Sequence, residues 1–387
     1  MSWRSRAFVL GLSLACLTAT AATGPAPAWL APKLAAKSDR GAMPALRHPV
    51  AVFGEDERGP LPARLRPVQE KMGLLFNRRS RTVCTAFCVA RDTIATAGHC
   101  LYRTAGERPP QLADFWFARN FDAVRDHARI AGHGTGGAAQ HVVSGSSRLS
   151  IRPPIDASKD WALVRLARPV CARGFLPVRA MGGDDIIAAA REGRVFQISY
   201  HYDYTPWKLA YSHACAVRKS FDTADWSIIA QDFSDTGALL LHTCDTGGAS
   251  SGSPLLIETP TGPEVIGINV GTYEQSKVFM QNGKVTKRLK ADNVANTAVS
   301  ATAFAARLDA FREAAILASP AQLRELQQLL TERQLFAGPV DGTYGAALRA
   351  AIEAYETAQG LPVTGLATQA LLKRLGGGAI KFPRAKS

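Results

Sequence analysis

The feature that most constrains this chain is a change of hydrophobic period close to residue 300. From about Val50 to Ile316, apolar residues come in short β-like runs broken by Gly, Pro, Asp and Asn. Examples are Arg81–Ala90, Thr93–Ala97, Trp161–Leu166, Val195–Tyr200, Ala238–Leu241 and Val265–Val270. Many short strands separated by turn residues argue for an antiparallel barrel or sandwich. Ala301–Leu317 then takes a helical spacing, with Phe304, Leu308, Phe311 and Ala315 on one face, suited to close the β domain as a terminal helix. Beyond Ser319 the period stays helical. Ser319-Pro320 opens a capped helix with Leu323, Leu326, Leu329 and Leu330 on its apolar face. A turn at Gly338-Pro339-Val340-Asp341-Gly342 separates it from helices near Ala346–Gln359 and Ala367–Leu375. The expected fold is mostly β, followed by a small three-helix α domain.

The first residues point to export. Arg4 and Arg6 precede the apolar run Ala7–Leu17, and Ala19-Thr20-Ala21 supplies the small-x-small pattern that signal peptidase reads. The run is shorter than the roughly 20 residues a bilayer span needs. Residues 1–21 therefore read as a cleaved signal. A lipoprotein anchor at Cys16 is the alternative, with Ser13 where such a signal has leucine. Residues 22–48, rich in Ala, Pro and Lys, read as a leader or pro-segment, 49–317 as the β domain, 319–376 as the helical domain and 377–387 as a tail. Of the seven cysteines, removal of Cys16 leaves six, an even number that in an exported chain suggests disulfides. Cys84-x-x-x-Cys88 has no matching second pair and no His-x-x-x-His, so no metal and no cofactor is read. Net charge is +14 (46 basic minus 32 acidic), which favours anionic surroundings such as cell-wall polymer. The charge is dispersed and no nucleic-acid motif accompanies it, so no nucleic-acid partner is expected.

Three segments carry chemistry. In the first, a strand-like run from Cys84 leads into Thr96-Ala97-Gly98-His99-Cys100, holding a histidine rigidly at a strand end where it can serve as a general base. The other histidines (His48, His127, His133, His141, His201, His213, His242) read as surface or satisfied core residues. In the second, Lys159-Asp160-Trp161-Ala-Leu-Val opens an apolar strand with a carboxylate able to accept the imidazole N–H and fix its tautomer. Asp156 is a competitor four residues upstream. In the third, Cys244-Asp-Thr-Gly-Gly-Ala-Ser-Ser251-Gly-Ser-Pro254 is a tight turn between apolar runs. Such a turn exposes a hydroxyl and aims backbone N–H groups, here those of Ala249 and Ser251, at one oxyanion position. Ser250 and Ser253 are rival nucleophiles.

Together these segments resemble the trypsin/chymotrypsin superfamily, particularly bacterial peptidases related to glutamyl endopeptidases. The matching marks are T-A-G-H-C at 96–100, D-W-A-L-V at 160–164 and S-G-S-P at 251–254, in the order His, Asp, Ser. The resemblance implies a pair of six-stranded antiparallel β-barrels with His99, Asp160 and Ser251 as a catalytic triad in the cleft, hydrolysing peptide bonds through an acyl-enzyme. It also implies three disulfides: Cys84–Cys100 bracing the histidine loop, Cys215–Cys244 tying the serine loop, and Cys88–Cys171. It places Asp245, Thr246, Asn269 and Gly271 at the substrate. Asp245 stands six residues before Ser251, where trypsin-like enzymes keep the acid that meets Arg or Lys. Asn269 replaces the histidine with which glutamyl endopeptidases hold an acidic side chain. Ala249 departs from the family's glycine and is penalised if its φ is positive.

Residues 320–375 resemble the peptidoglycan-binding-like domain through Leu326-Gln-Gln-Leu-Leu, Gly338-Pro-Val-Asp-Gly342, Ala350–Tyr355 and Gly360-Leu-Pro-Val-Thr-Gly365. The expected protein is an exported serine endopeptidase, periplasmic or secreted, that this domain tethers to the wall. A non-catalytic wall-binding protein with a degenerate barrel is the alternative. Peptidoglycan hydrolysis lacks a metal set or a carboxylate pair in the helical module.

Overall fold

The computed structural model describes residues 51–376, apart from 103–109, 122–125, 135–136, 205–207, 276–277, 282–283, 289–291 and the single positions 214 and 223. The signal, leader, Cys16 and tail lie outside the described residues.

The β-like runs form two large antiparallel sheets. The first is seven-stranded, in the order β6-β5-β2-β3-β4-β8-β7. Its strands are β2 (Met72–Asn77), β3 (Thr82–Ala90), β4 (Thr93–Thr96), β5 (Phe115–Arg119), β6 (Asp126–Arg129), β7 (Val142–Ser144) and β8 (Ala162–Arg165). A bridge between Ile130 and Leu166 draws the β6 and β8 ends together and curls the sheet toward closure. The second sheet is eight-stranded, ordered β1-β10-β9-β13-β14-β17-β12-β11. It comprises β1 (Gly59–Pro60), β9 (Val195–Tyr200), β10 (Leu209–Ser212), β11 (Val217–Arg218), β12 (Leu239–His242), β13 (Pro254–Ile257), β14 (Glu264–Gln275) and β17 (Asp292–Ser300). β15 (Val278–Gln281) and β16 (Lys284–Arg288) pair as a separate two-stranded hairpin. The architecture is mostly β, two large antiparallel sheets followed by helices, as expected. Strand counts of seven and eight exceed the expected six because short edge pieces, β7 in the first sheet and β1 and β11 in the second, join the ladders.

The central strands are buried on both faces, so they read as continuous apolar runs. β2, β4, β9, β12 and β13 are buried along their whole length. Burying one Leu- or Phe-sized side chain stabilises the fold by about 1.5–3 kcal/mol before entropy is counted. A helix that the sequence reading does not anticipate, α1 (Gly183–Arg191), precedes β9 and lays Ile186, Ala189 and Ala190 on a second cluster with Val195, Leu240, Leu255 and Ile266.

The terminal helix is shorter than its spacing suggests. A 3-10 turn at Ala301–Ala303 leads into α2 (Ala305–Glu313), which ends before Ala315. Arg165 donates to the carbonyls of Phe311 and Ala314 and takes over acceptors that a further helical turn would use. Beyond it, Ser319 accepts the N–H of Ala321 and starts α3 (Pro320–Glu332) with proline at the first turn. α4 (Ala346–Ala358) and α5 (Gln369–Gly376) complete three helices around Leu323, Leu326, Leu330, Phe336, Ile352, Tyr355 and Leu371.

The helical module is seated against the first sheet. Arg349 of α4 donates to Ala139 O and Val142 O at 2.8 and 2.7 Å, and Arg307 of α2 donates to Val363 O at 3.0 Å. Leu366 joins the core cluster of the β domain, and the connecting segment pairs with the module at Ile316 and Thr368. Among the described residues no helix is long and apolar enough to cross a membrane.

Candidate active site

β4 ends at Thr96, and the chain turns through a short 3-10 turn, Gly98–Cys100. His99 rides on this turn beside Asp160, which precedes β8, the neighbour of β4 in the sheet. The Asp160 carboxylate grips His99 twice: Oδ1 accepts the backbone N–H at 2.8 Å, and Oδ2 lies 2.7 Å from Nδ1. Burial by itself opposes the imidazolium, but the Coulombic attraction and hydrogen bond of Asp160 outweigh it. The His99 pKa is therefore raised above its ordinary 6.5. Asp156 is engaged elsewhere: its carboxylate accepts from Ser150 N, Lys159 and the Ser234 hydroxyl, tying two loops together.

Ser251 comes from the second sheet, in the turn before β13. Thr85 of β3 binds this turn at two points, its N–H donating to Ser251 O at 2.9 Å and its hydroxyl to Ala249 O at 2.8 Å. The Cys100 sulfur lies 3.9 Å from both His99 Nε2 and the Ser251 carbonyl oxygen, so the two segments meet there. The close approach needs a glycine at 252, with φ at +83°: a Cβ there would sit 2.2 Å from Thr96 Oγ1 and 2.3 Å from Thr85 O.

The three serines of the turn differ in exposure. Ser250 is 4% exposed, with its hydroxyl 3.4 Å from Asn269 Nδ2. Ser253 is fully buried and accepts from Gln197 Nε2 at 2.6 Å. Ser251 is the half-exposed one. Among the described residues, no hydrogen bond uses the N–H of Ala249 or of Ser251. Ala249 has φ +80°, the left-handed region in which a Cβ is strained.

The residues read as substrate-binding fall into two groups. Gly271 lines a cleft of about 100 Å³ together with Asp160, Val270, Thr272, Ile155, Phe233 and Tyr273. Ile155 and Phe233 have no local sequence signal, because loops far apart in the chain bring them there, whereas Tyr273 lies on β14 two positions after Gly271. Asp245, Thr246 and Asn269 are instead 2%, 3% and 2% exposed. Asn269 is committed to an internal relay, with Oδ1 3.1 Å from His242 Nε2 and Nδ2 3.3 Å from Ser250 O. Burial holds His242 down to about 4, against the pull of its Asn269 hydrogen bond, so it is neutral there at pH 7. Asp245 accepts the N–H groups of Phe53 and Glu57 on its two oxygens. Burial pushes its carboxyl above the usual range in spite of those bonds.

Three disulfides form: Cys84–Cys100, which ties β3 to the His99 turn, Cys88–Cys171 and Cys215–Cys244. Potential ligand atoms of Cys84, His99 and Cys100 lie within 4.8 Å of one another, but the two sulfurs are bonded together, which removes both thiolates a metal would need.

A histidine–carboxylate pair carried by one antiparallel sheet is set against a serine turn carried by a second. Residues 84–268 match the family model described as "Trypsin-like peptidase domain", and residues 319–375 match "Putative peptidoglycan binding domain". The chain thus combines a segment similar to trypsin-like peptidase domains with a carboxy-terminal segment similar to peptidoglycan-binding domains. Among solved structures, it is similar to a Glu endopeptidase in complex with MPD, with a TM-score of 0.43 and 17% identity over 68% of this chain and 99% of that one. The thermostable serine protease AL20 from an extremophilic microorganism gives 0.36 and 16% over 60% and 91%. Protease Anisep from Arthrobacter nicotinovorans gives 0.38 and 13% over 60% and 90%. No curated protein sequence matches the chain.

Proposed function

We propose that the chain is an exported endopeptidase that cleaves peptide bonds with Ser251 as nucleophile, His99 as general base and acid, and Asp160 as the group that orients His99. The observation that carries this is the double grip of Asp160 on His99, at 2.8 and 2.7 Å. It leaves Nε2 as the imidazole's proton acceptor. His99 takes the Ser251 hydroxyl proton as Oγ attacks the scissile carbonyl. The N–H groups of Ala249 and Ser251 stabilise the oxyanion, each such donor being worth about 3–4 kcal/mol in the transition state. Protonated His99 then gives its proton to the leaving amine, which leaves an acyl-enzyme. Water attacks that ester, with His99 again taking the proton, and the freed serine recovers it as the acid product departs.

Export is supported by the Arg4–Ala21 signal pattern and by three disulfides, which persist in oxidising compartments. Wall attachment is supported by the family match at 319–375 and the +14 charge. Hydrolysis of a denatured protein by the purified chain tests the peptidase reading: Ser251→Ala should abolish it without loss of fold, and persisting activity sinks the assignment. Attachment is tested by pelleting the full chain with purified sacculi. Retention at about 0.5 M salt, where surface charge is screened, supports recognition by the module, and complete release leaves only charge-driven adhesion.

The second reading, a non-catalytic wall-binding protein, is favoured by Ala249 alone, whose φ of +80° an alanine tolerates poorly.

A further inference from the structure

We propose that Asp245 is a positioning residue that latches an amino-terminal strap, residues 51–60, onto the Ser251 turn, and that this latch sets the backbone donor at Ala249. The inference rests on the peptidase reading above and gives Asp245 a task other than meeting a substrate side chain.

Three consecutive residues of the turn are held by the strap. Asp245 accepts Phe53 N–H on Oδ1 at 2.9 Å and Glu57 N–H on Oδ2 at 2.8 Å. Thr246 pairs with Ala51 in both directions, at 3.1 and 2.9 Å. Gly247 lies under the Arg58 guanidinium, where a Cβ would meet Nη1 at 2.8 Å and Asp203 Oδ1 at 2.0 Å. Arg58 is itself immobilised: its side chain is 3% exposed and pairs with Asp56 and Asp203 at 2.7 and 2.8 Å. The next residue, Gly248, accepts Tyr202 N–H at 2.8 Å. Only then comes Ala249 at φ +80°.

An alanine does not keep a left-handed backbone by preference, so its neighbours must impose it. Here the imposed residue is one of the two oxyanion donors, and the four residues before it are fixed by the strap and by the 202–203 loop. A carboxylate that recognises a basic side chain needs an oxygen open to the pocket. Asp245 has both oxygens on strap amides and is 2% exposed. Two neutral N–H donors satisfy the buried carboxylate without a cation.

The test uses the full chain, Asp245→Asn and Phe53→Pro. Asparagine offers an amide NH₂ to one of the two strap donors, while Phe53→Pro deletes the donor at position 53 and leaves Asp245 in place. Two quantities are read: the rate at which a small organofluorophosphonate, which has no P1 side chain, labels Ser251, and the cleavage profile on a peptide library. Loss of a preorganised donor should slow labelling and kcat together by about 10- to 100-fold, with KM nearly constant and the order of P1 preference unchanged. Selective loss of one P1 class with labelling unchanged would make Asp245 a specificity acid and overturn the proposal. So would folded variants whose labelling and kcat stay within about twofold of wild type. Should Asp245→Asn fail to fold, Phe53→Pro is judged by the same criteria. If the wild-type chain itself takes no label, the peptidase reading falls. The latch is then read by amide hydrogen exchange over residues 246–250: faster exchange in the variants supports it, and unchanged exchange overturns it.

Discussion

At the scale of single residues, the proposed chemistry turns on the balance at His99. A general base works only when neutral, so the acid limb of kcat/KM should follow the His99 pKa, which Asp160 raises above 6.5. A rate–pH profile should place that limb above pH 6.5. Asp160→Asn should move it to lower pH and cut kcat by about 10⁴-fold through the wrong tautomer. A limb that does not move would remove Asp160 from its orienting role. Ala249 makes a second prediction. Ala249→Gly removes the Cβ penalty at φ +80° and should stabilise the fold by about 1 kcal/mol, read as a higher denaturant midpoint, with labelling of Ser251 no slower. The pairing of His99 with Asp160 was legible because each sits in its own contiguous motif. The Asp245 latch was not legible: its partner Phe53 is 192 positions away, and the bond uses a backbone N–H that any residue could offer.

At the scale of elements, the strand runs were legible because apolar content and flanking turn residues are local properties. β9 coincides with the expected run Val195–Tyr200. α1 escaped notice although Asp184 and Asp185 in its first turn and Arg191 in its last match the helix dipole, because a nine-residue helix offers too few apolar positions to show a period. The overlong reading of α2 has a different cause: Arg165, on β8, decides where it stops, and that contact crosses 149 residues. Two histidines buried beside these strands make the elements sensitive to acid. His242 on β12 is held down to about 4 and His201 just after β9 to about 3, burial being the leading cause in each case. The folded state therefore refuses protons that the unfolded chain accepts below its ordinary histidine pKa of about 6.5. Stability should be full above pH 6.5 and fall as pH drops toward 4, by about 1.4 kcal/mol per pH unit for each histidine. Denaturant titrations at pH 7, 6 and 5 check this, and His242→Gln should remove one of the two contributions. A flat stability over that range would mean that these histidines are not buried neutral.

At the scale of the whole molecule, the carboxy-terminal helices are seated on the β domain. Arg349 of α4 donates to two carbonyls, Ala139 O and Val142 O, next to β7, the strand paired with the one that follows Asp160. Hydrogen bonds from a charged group contribute about 1.5–3 kcal/mol each. Arg349→Ala should therefore lower the melting temperature of the peptidase part as well as that of the helices, and calorimetry should show one transition becoming two. A drop confined to the helical part would mean that the module merely hangs from the β domain. The family resemblance of this module was legible in its sequence, but its seating was not, since Arg349 reads locally as an ordinary solvated helix residue.

The claim on which the rest depends is that His99 activates Ser251. The direct test is to react the native chain with an organofluorophosphonate at about pH 8, then locate the adduct by mass spectrometry of its peptides, beside His99→Ala and a denatured control. The expected result is a stoichiometric adduct on Ser251 in the native chain and none in either control. An adduct on Ser250 or Ser253, equal labelling of His99→Ala, or no adduct at all would contradict it.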